Sequence, residues 1–356
     1  MIYPYKYLEN HPIEKLHSYL NFFFSVMFND ANKRFNKSKL IHSDFRGIFD
    51  HYEKISKPLR KIFKVYHTLT TTEQRKLKNA FENNNKIAEI CSNAIEPIQY
   101  FELDSSIRDV IYDFYIFLWE SALAYKNVVD NGSSVTAHFE EFVNPTYQQV
   151  LICPFCGLET LLSSNDAKDG KRDDYDHYIP KKLYPFNSVN FKNLVPMCHR
   201  CNSKYKGQKD TIFKERNKVS RRKVFFPFDS SLASNKIELK IDTDEVTLSD
   251  NDNWTICISD SQGYNEEIES WNDIFDIKSR YKNKIKQFEK VWIEGILKKY
   301  KREISRGTYE KSLFQEDFLD DIDIFDTVNG IIQHAYYDFF FENLDLELLE
   351  PSITGD

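Results

Sequence analysis

An α+β fold, predominantly helical, follows from three features of the 356-residue chain. Apolar residues recur at helical spacing through most of the first 145 residues and again beyond residue 277. Two short segments, Ile237-Glu238-Leu239-Lys240-Ile241 and Trp254-Thr255-Ile256-Cys257-Ile258, alternate apolar and polar residues as strands do. The stretch between these flanks is broken by Pro180, Pro185 and Pro196, so its elements must be short, and it carries two Cys-x-x-Cys pairs. The expected division is a helical N-terminal domain over 1–145, a compact cysteine-bearing core over 146–225, and a β-hairpin plus helices over 226–356.

Leu16, Leu20, Phe23 or Phe24, and Met27 predict the first helix. The polar segment Thr70 to Ile90 favours helix by composition. Asp104-Ser105 is suited to cap a helix that places Ile107, Val110, Ile111, Phe114, Phe117, Leu118 and Tyr125 on one face. Asn131-Gly132-Ser133-Ser134 marks a turn at the end of this region. After Phe225-Phe226-Pro227, the two alternating segments should pair as a hairpin. A long helix then carries Ile277, Tyr281, Ile285, Phe288, Trp292, Ile296 and Tyr300, and a last one holds Ile331, Ile332, Ala335, Tyr336, Phe339 and Phe340. The aromatic stripes read as core rather than as a base-stacking platform.

Hydrophobic residues make up 41% of the chain, which is enough for a packed interior and excludes a disordered protein. Only 10 residues are glycine, and no Gly-rich phosphate loop is present. The start, MIYPYKYLENHP, lacks the features of a secretion signal. The most apolar stretches, Leu20 to Phe28 and Ile107 to Leu118, fall well short of the roughly 20 residues that span a bilayer. A cytoplasmic protein without membrane contact is expected.

A net charge of −7 argues against nucleic-acid binding until its distribution is considered. From Lys168 to Lys223 there are sixteen Lys and Arg against six Asp and Glu, a net +10, so the other 300 residues carry −17. A basic segment on an acidic protein suits phosphate binding, although a solvated surface would show the same charge run.

Cys153-Pro154-Phe155-Cys156 and Cys198-His199-Arg200-Cys201 have the spacing of two zinc knuckles. Two thiolate pairs close a tetrahedral site and leave no position for water. A zinc ion there would be structural, contributing folding energy to a segment with little core of its own. The 41 residues between the knuckles exceed an ordinary zinc ribbon, so a further element sits between them. Cys91 and Cys257 stand alone and read as small buried residues.

Between and after the knuckles lie Tyr175-Asp176-His177-Tyr178-Ile179-Pro180, Asn193-Leu194-Val195-Pro196-Met197 and Cys198-His199-Arg200-Cys201-Asn202-Ser203-Lys204-Tyr205-Lys206-Gly207. In order and spacing this region resembles the HNH, or ββα-metal, endonuclease superfamily in its zinc-stapled four-cysteine form. The resemblance covers about 60 of the 356 residues. It implies a central ββα-metal core and a role for each matched residue. His177 takes the place of the general base, Asp176 that of the acidic metal ligand beside it, and Asn193 that of the residue bracing the loop behind the base. Asn202 stands where the final metal-ligating histidine usually stands; the alternative for it is a helix cap. The family more often has its lysine three residues after this position. Here Lys204 is two after and Lys206 four after, which leaves open which one faces phosphate.

The residue types suit phosphodiester hydrolysis without the family name. An imidazole with an ordinary pKa of about 6.5 can take a proton from water at neutral pH. Asp176 and Asn202 offer hard oxygen ligands of the kind Mg²⁺ or Mn²⁺ prefers. Arg172, Lys181, Lys182, Lys204, Lys206, Arg221, Arg222 and Lys223 are candidates for the nucleic-acid backbone, whereas His199 reads more readily as a surface histidine. The expectation is a DNA endonuclease with structural zinc and a catalytic Mg²⁺ or Mn²⁺. The layout is also similar to HNH effectors of bacterial anti-phage defence, Septu-like nuclease subunits that work with an ATPase, which implies a protein partner. The alternative is a non-catalytic zinc-knuckle module that binds nucleic acid or protein without cutting.

Overall fold

A computed structural model of the chain describes residues 1–125, 128, 134–148, 151–164, 171–215, 218–234, 237–243, 248, 252–306, 311–322 and 327–343. The fold is α+β and mostly helical, with two separate two-stranded antiparallel sheets. The expected turn at Asn131-Gly132-Ser133, the basic segment's Lys168 and the last part of the acidic C-terminal stretch lie outside the described residues.

Among the described residues, eight α-helices occupy the first region: α1 (Lys15–Asn29), α2 (Lys37–Leu40), α3 (Arg46–His51), α4 (Glu53–Tyr66), α5 (Thr71–Asn84), α6 (Ile87–Cys91), α7 (Ser105–Glu120) and α8 (Val135–Phe142). Their ends are chemically marked. Thr70 and Glu73 form a reciprocal capping box at the start of α5, satisfying two otherwise orphaned N–H groups. Asp104 caps α7 through the N–H of Ser106, and Ser134 caps α8 through Ala137. Leu16, Leu20, Phe23, Phe24 and Met27 of α1 are buried. Phe24 stacks on Phe81 with ring centroids 4.4 Å apart. Tyr125 lies beyond the end of α7, since Ser121 breaks the helical backbone.

Strands β1 (Asp174–His177) and β2 (Leu194–Met197) pair with Asp176 opposite Val195 and His177 opposite Leu194. The connection between them inserts Phe186 into the helical region, where it meets Phe24, Phe81 and Tyr115 at centroid distances of 5.2 to 5.6 Å. Burying a ring of this size stabilises by about 2–3 kcal/mol and fixes the hairpin to the helices.

After the core, β3 (Ile237–Asp242) and β4 (Thr255–Asp260) form the second hairpin. They are followed by α9 (Asn265–Phe275), the 29-residue α10 (Ile277–Ser305), α11 (Lys311–Asp320) and α12 (Gly330–Asn343). Tyr281, Ile285, Trp292, Ile296 and Tyr300 of α10 are buried as their spacing predicts. Cys257 is not buried: on β4, Ile256 points inward and the next residue must therefore point to solvent. Buried apolar residues from all three regions form one continuous core. No helix among the described residues is long and apolar enough to cross a membrane.

Candidate active site and metal centre

The sulfur atoms of Cys153, Cys156, Cys198 and Cys201 all lie within 4.8 Å of one another, and all four residues are buried. Cys156 and Cys198 Sγ are 3.9 Å apart. That is far beyond a disulfide bond of about 2.05 Å, and close to the ~3.8 Å edge of a tetrahedron with Zn–S bonds of about 2.3 Å. The cluster fits a zinc ion, and its donor set is the one zinc prefers.

Local backbone chemistry builds the first knuckle. Cys156 and Gly157 both donate to the carbonyl of Cys153, and the N–H of Leu158 points at Cys156 Sγ at 3.4 Å. Gly157 takes φ of +66°, a conformation that costs side-chain-bearing residues energy. The second knuckle leads into a seven-residue π-helical turn, Arg200–Lys206, in place of the expected α-helix start. Gly207, at φ +51°, closes this turn by donating to the Asn202 carbonyl.

Distant elements clamp the cluster. Asp173 accepts from the N–H groups of Leu162 and His199, tying the start of β1 to the second knuckle. From the C-terminal region, Trp271 Nε1 donates to the Phe155 carbonyl and Tyr281 Oη to the Cys156 carbonyl, each at 2.9 Å. Arg280 donates to Cys201 Sγ at 3.3 Å and lies over the Tyr205 ring at 4.0 Å. Its positive charge offsets the excess negative charge that four thiolates would place around a zinc dication.

Asp176 and His177 sit side by side at the end of β1, both nearly buried, on the floor of a cleft of ≈ 530 Å³. His177 Nε2 lies 2.9 Å from the Ser188 carbonyl. A carbonyl only accepts, so Nε2 must carry the proton and the lone pair of the neutral ring sits on Nδ1. Burial, together with Lys181 and Lys206 nearby, lowers the pKa of His177 from 6.5 to about 3, which holds the ring neutral but makes it a weaker base than the ordinary imidazole its sequence position suggested. Trp119 of α7 packs edge-on against it, with ring centroids 4.5 Å apart.

Asn193 lies behind this pair, fully buried. Its Oδ1 accepts from the N–H of Ile179, its Nδ2 donates to the Ile179 carbonyl and to Asn187 Oδ1, and its own carbonyl accepts from Tyr178. The loop after His177 is thereby hydrogen-bonded from both sides. Asn202 is half-buried in the π-helical turn, and its side chain has no hydrogen-bond partner among the described residues. The cleft is lined by Asp176, His177 and Lys206 but not by Asn202.

The proposed phosphate contacts divide sharply. Lys206 is only 2% exposed; its Nζ lies 2.8 Å from Asp176 Oδ2 and donates to the His177 carbonyl. Arg222 is buried, donating to the carbonyls of Asp210 and Phe213 and pairing with Asp273. Arg221 donates to the carbonyls of Ile90 and Ile212, and Lys223 pairs with Glu267. These four cations hold the fold together, because the basic segment packs against acidic residues and carbonyls of both flanks. Arg172 rests over Phe139 and donates to its neighbour's carbonyl, and Lys181 pairs with Glu120 at 3.4 Å. Lys182, Lys204 and His199 are exposed. Ser188, Trp119, Asp173 and Arg280 complete the site without having been legible in the sequence. Ser188 acts through its backbone, and the others lie far from the motif or repeat a common residue type.

Comparison with known proteins gives one informative match. No family model matches, and no solved structure matches. The chain is 43% identical over 67 residues to a protein described as "Septu protein PtuB" from Bacillus thuringiensis. The match covers 16% of this chain and 26% of that relative, so the chain spans about a quarter of the relative's length. The similarity extends no further than that segment.

Proposed function

We propose that the chain is a metal-dependent HNH-type endonuclease that hydrolyses DNA in anti-phage defence. The observation that carries this reading is the state of His177. Its Nε2–H is committed to the Ser188 carbonyl, its ring is neutral, and it faces a cleft beside the Asp176 carboxylate. Nδ1 is then the atom that takes the proton from water, and the Ser188 bond fixes the ring's tautomer and tilt. Asp176 would hold a Mg²⁺ or Mn²⁺ ion; Asn202, the expected second oxygen donor, lies outside the cleft lining and would have to turn toward it. Such an ion supplies charge stabilisation at the phosphate under attack. Zinc in the four-cysteine site holds the hairpin against the turn that bears Asn202. A protein partner, such as an ATPase subunit, follows from the likeness in layout and from the partial match to PtuB. The three-part division at 145 and 225 is retained as part of this reading.

A second reading, a zinc module that binds nucleic acid or protein without cutting, is favoured by one contact. Lys206 already sets a positive charge against Asp176, the carboxylate the divalent ion would use. Supercoiled plasmid incubated with and without Mg²⁺ or Mn²⁺ separates the two. The nuclease reading predicts metal-dependent nicking that Asp176→Ala abolishes. Nicking that persists at full rate in Asp176→Ala would remove the proposed metal site.

A further inference from the structure

The cleft over Asp176 and His177 has a second wall that hydrolysis does not use. It is built from Tyr100 and Phe101, at a short turn before α7, and from Tyr112 and Trp119 on α7. Phe101 is 44% exposed, an unusual position for a ring of that size. Tyr100 lies against both Phe101 and Tyr112, at centroid distances of 5.8 and 4.8 Å, so the three rings form a continuous row. The wall is held in register with the opposite rim, because the Tyr100 N–H donates to the Leu183 carbonyl at 2.9 Å. That rim carries Lys181, whose Nζ lies 5.5 Å over the Trp119 ring and 3.4 Å from Glu120, which a phosphate would have to displace, and Lys182, which is exposed and makes no ion pair among the described residues.

We infer that this wall is a stacking subsite for the unpaired bases of single-stranded DNA, with the strand's phosphates running past Lys181 and Lys182 toward Asp176 and His177. The inference rests on the nuclease reading and deepens it by naming the substrate class. Base pairs in a duplex hide their faces against one another, so a row of accessible rings gains nothing from an intact duplex. Unpaired bases offer a π-face to each ring, whatever their sequence. Cations beside rings are the pairing that single-strand binding requires, since the rings take the bases and the ammonium groups take the backbone.

The full-length, zinc-containing chain can be tested directly, without added Mg²⁺ or Mn²⁺ so that binding is read apart from cleavage. Labelled oligo(dT), the same strand annealed to its complement, and oligo(rU) are titrated by fluorescence polarisation while tryptophan emission is followed. Trp119 is the half-buried tryptophan, whereas Trp254, Trp271 and Trp292 are at most 5% exposed, so quenching reports on the wall. Expected are tighter binding of oligo(dT) than of duplex, quenching of Trp119, and a loss of about tenfold for Phe101→Leu and about a hundredfold for Phe101→Ala with Tyr112→Ala. Phe101→Leu keeps bulk and removes the ring, which separates stacking from folding. Equal affinity for single strand and duplex, or wild-type affinity in the ring variants at wild-type zinc content, would overturn the inference. Tighter binding of oligo(rU) than oligo(dT) would overturn its DNA assignment. Incubating the same preparations with labelled oligo(dT) and Mg²⁺ or Mn²⁺ keeps the two claims apart: cleavage with ring-independent binding removes the stacking subsite alone, and ring-dependent binding without any cleavage removes the nuclease reading alone.

Discussion

Asn193 has no contact with solvent, yet every polar atom of its amide is bonded, two of them to the backbone of Ile179. Removing the amide would orphan one donor, the Ile179 N–H, and two acceptors, the Ile179 carbonyl and Asn187 Oδ1, in a dry interior, at about 1–3 kcal/mol each. Asn193→Ala should therefore lower the denaturant midpoint by the equivalent of about 2–5 kcal/mol. Asn193→Asp keeps the acceptor for Ile179 N–H but loses both donations, so it should also be destabilising; stability equal to wild type in both variants would refute the bracing role. His177 illustrates what single residues conceal. Its spacing before Ile179-Pro180 marked it in the sequence, but the partner that sets its tautomer is a backbone carbonyl eleven residues on, and a carbonyl belongs to every residue type. Lys206 shows the opposite. A lysine near a nuclease-like motif reads as a phosphate ligand, and only packing reveals that this one is spent on Asp176 and the His177 carbonyl.

At the scale of elements, the two knuckles, the β1–β2 hairpin and the π-helical turn depend on one another. The hairpin has four residues per strand, too few to be stable alone in water. Its supports are the cysteine cluster at one end, Phe186 among the helices at the other, and Asp173 between them. Cys198→Ser should lower bound zinc from one ion per chain toward none, and shift thermal unfolding to lower temperature, as measured by atomic absorption and calorimetry. Full zinc content with unchanged unfolding would refute the staple. The element types were readable because Cys-x-x-Cys spacing and period-two or period-3.6 patterns are local. The π-helical turn was not, since it differs from an α-helical start by one residue per turn and no residue type announces it. Arg280 was equally hidden: it follows the second knuckle by 79 residues, and only folding lays α10 against Cys201.

The whole molecule is stabilised by buried groups that must stay uncharged. His138 on α8 is 2% exposed, bonded to the Tyr175 hydroxyl and ringed by Phe142, Phe191 and His11. Burial, helped by His11, lowers its pKa from 6.5 to about 3. Between those values the unfolded chain holds a proton that the folded chain does not. Stability is therefore flat above about pH 6.5 and falls with decreasing pH, by about 1.4 kcal/mol per unit from this residue. His138→Gln, which can still bond Tyr175 but does not titrate, should reduce the slope of the urea-midpoint profile between pH 6 and 4 and leave the part due to His177 and His17, whereas an unchanged slope would assign the acid loss to other groups. The mostly helical α+β class, the second hairpin and the long C-terminal helix were all legible from periodicity. The continuity of one core through all three regions was not, because contacts such as Trp271 to Phe155 join residues more than a hundred positions apart. The same packing draws on the segment's +10 charge: among the described residues, Lys181, Arg200, Lys218, Arg222 and Lys223 each pair with a carboxylate of the acidic flanks.

If His177 is the base, the rate of plasmid cleavage in Mg²⁺ or Mn²⁺ separates wild type from His177→Ala at matched zinc content. The loss expected for the variant is about 10²- to 10⁴-fold, with zinc content retained. Cleavage by His177→Ala at the wild-type rate would contradict that role.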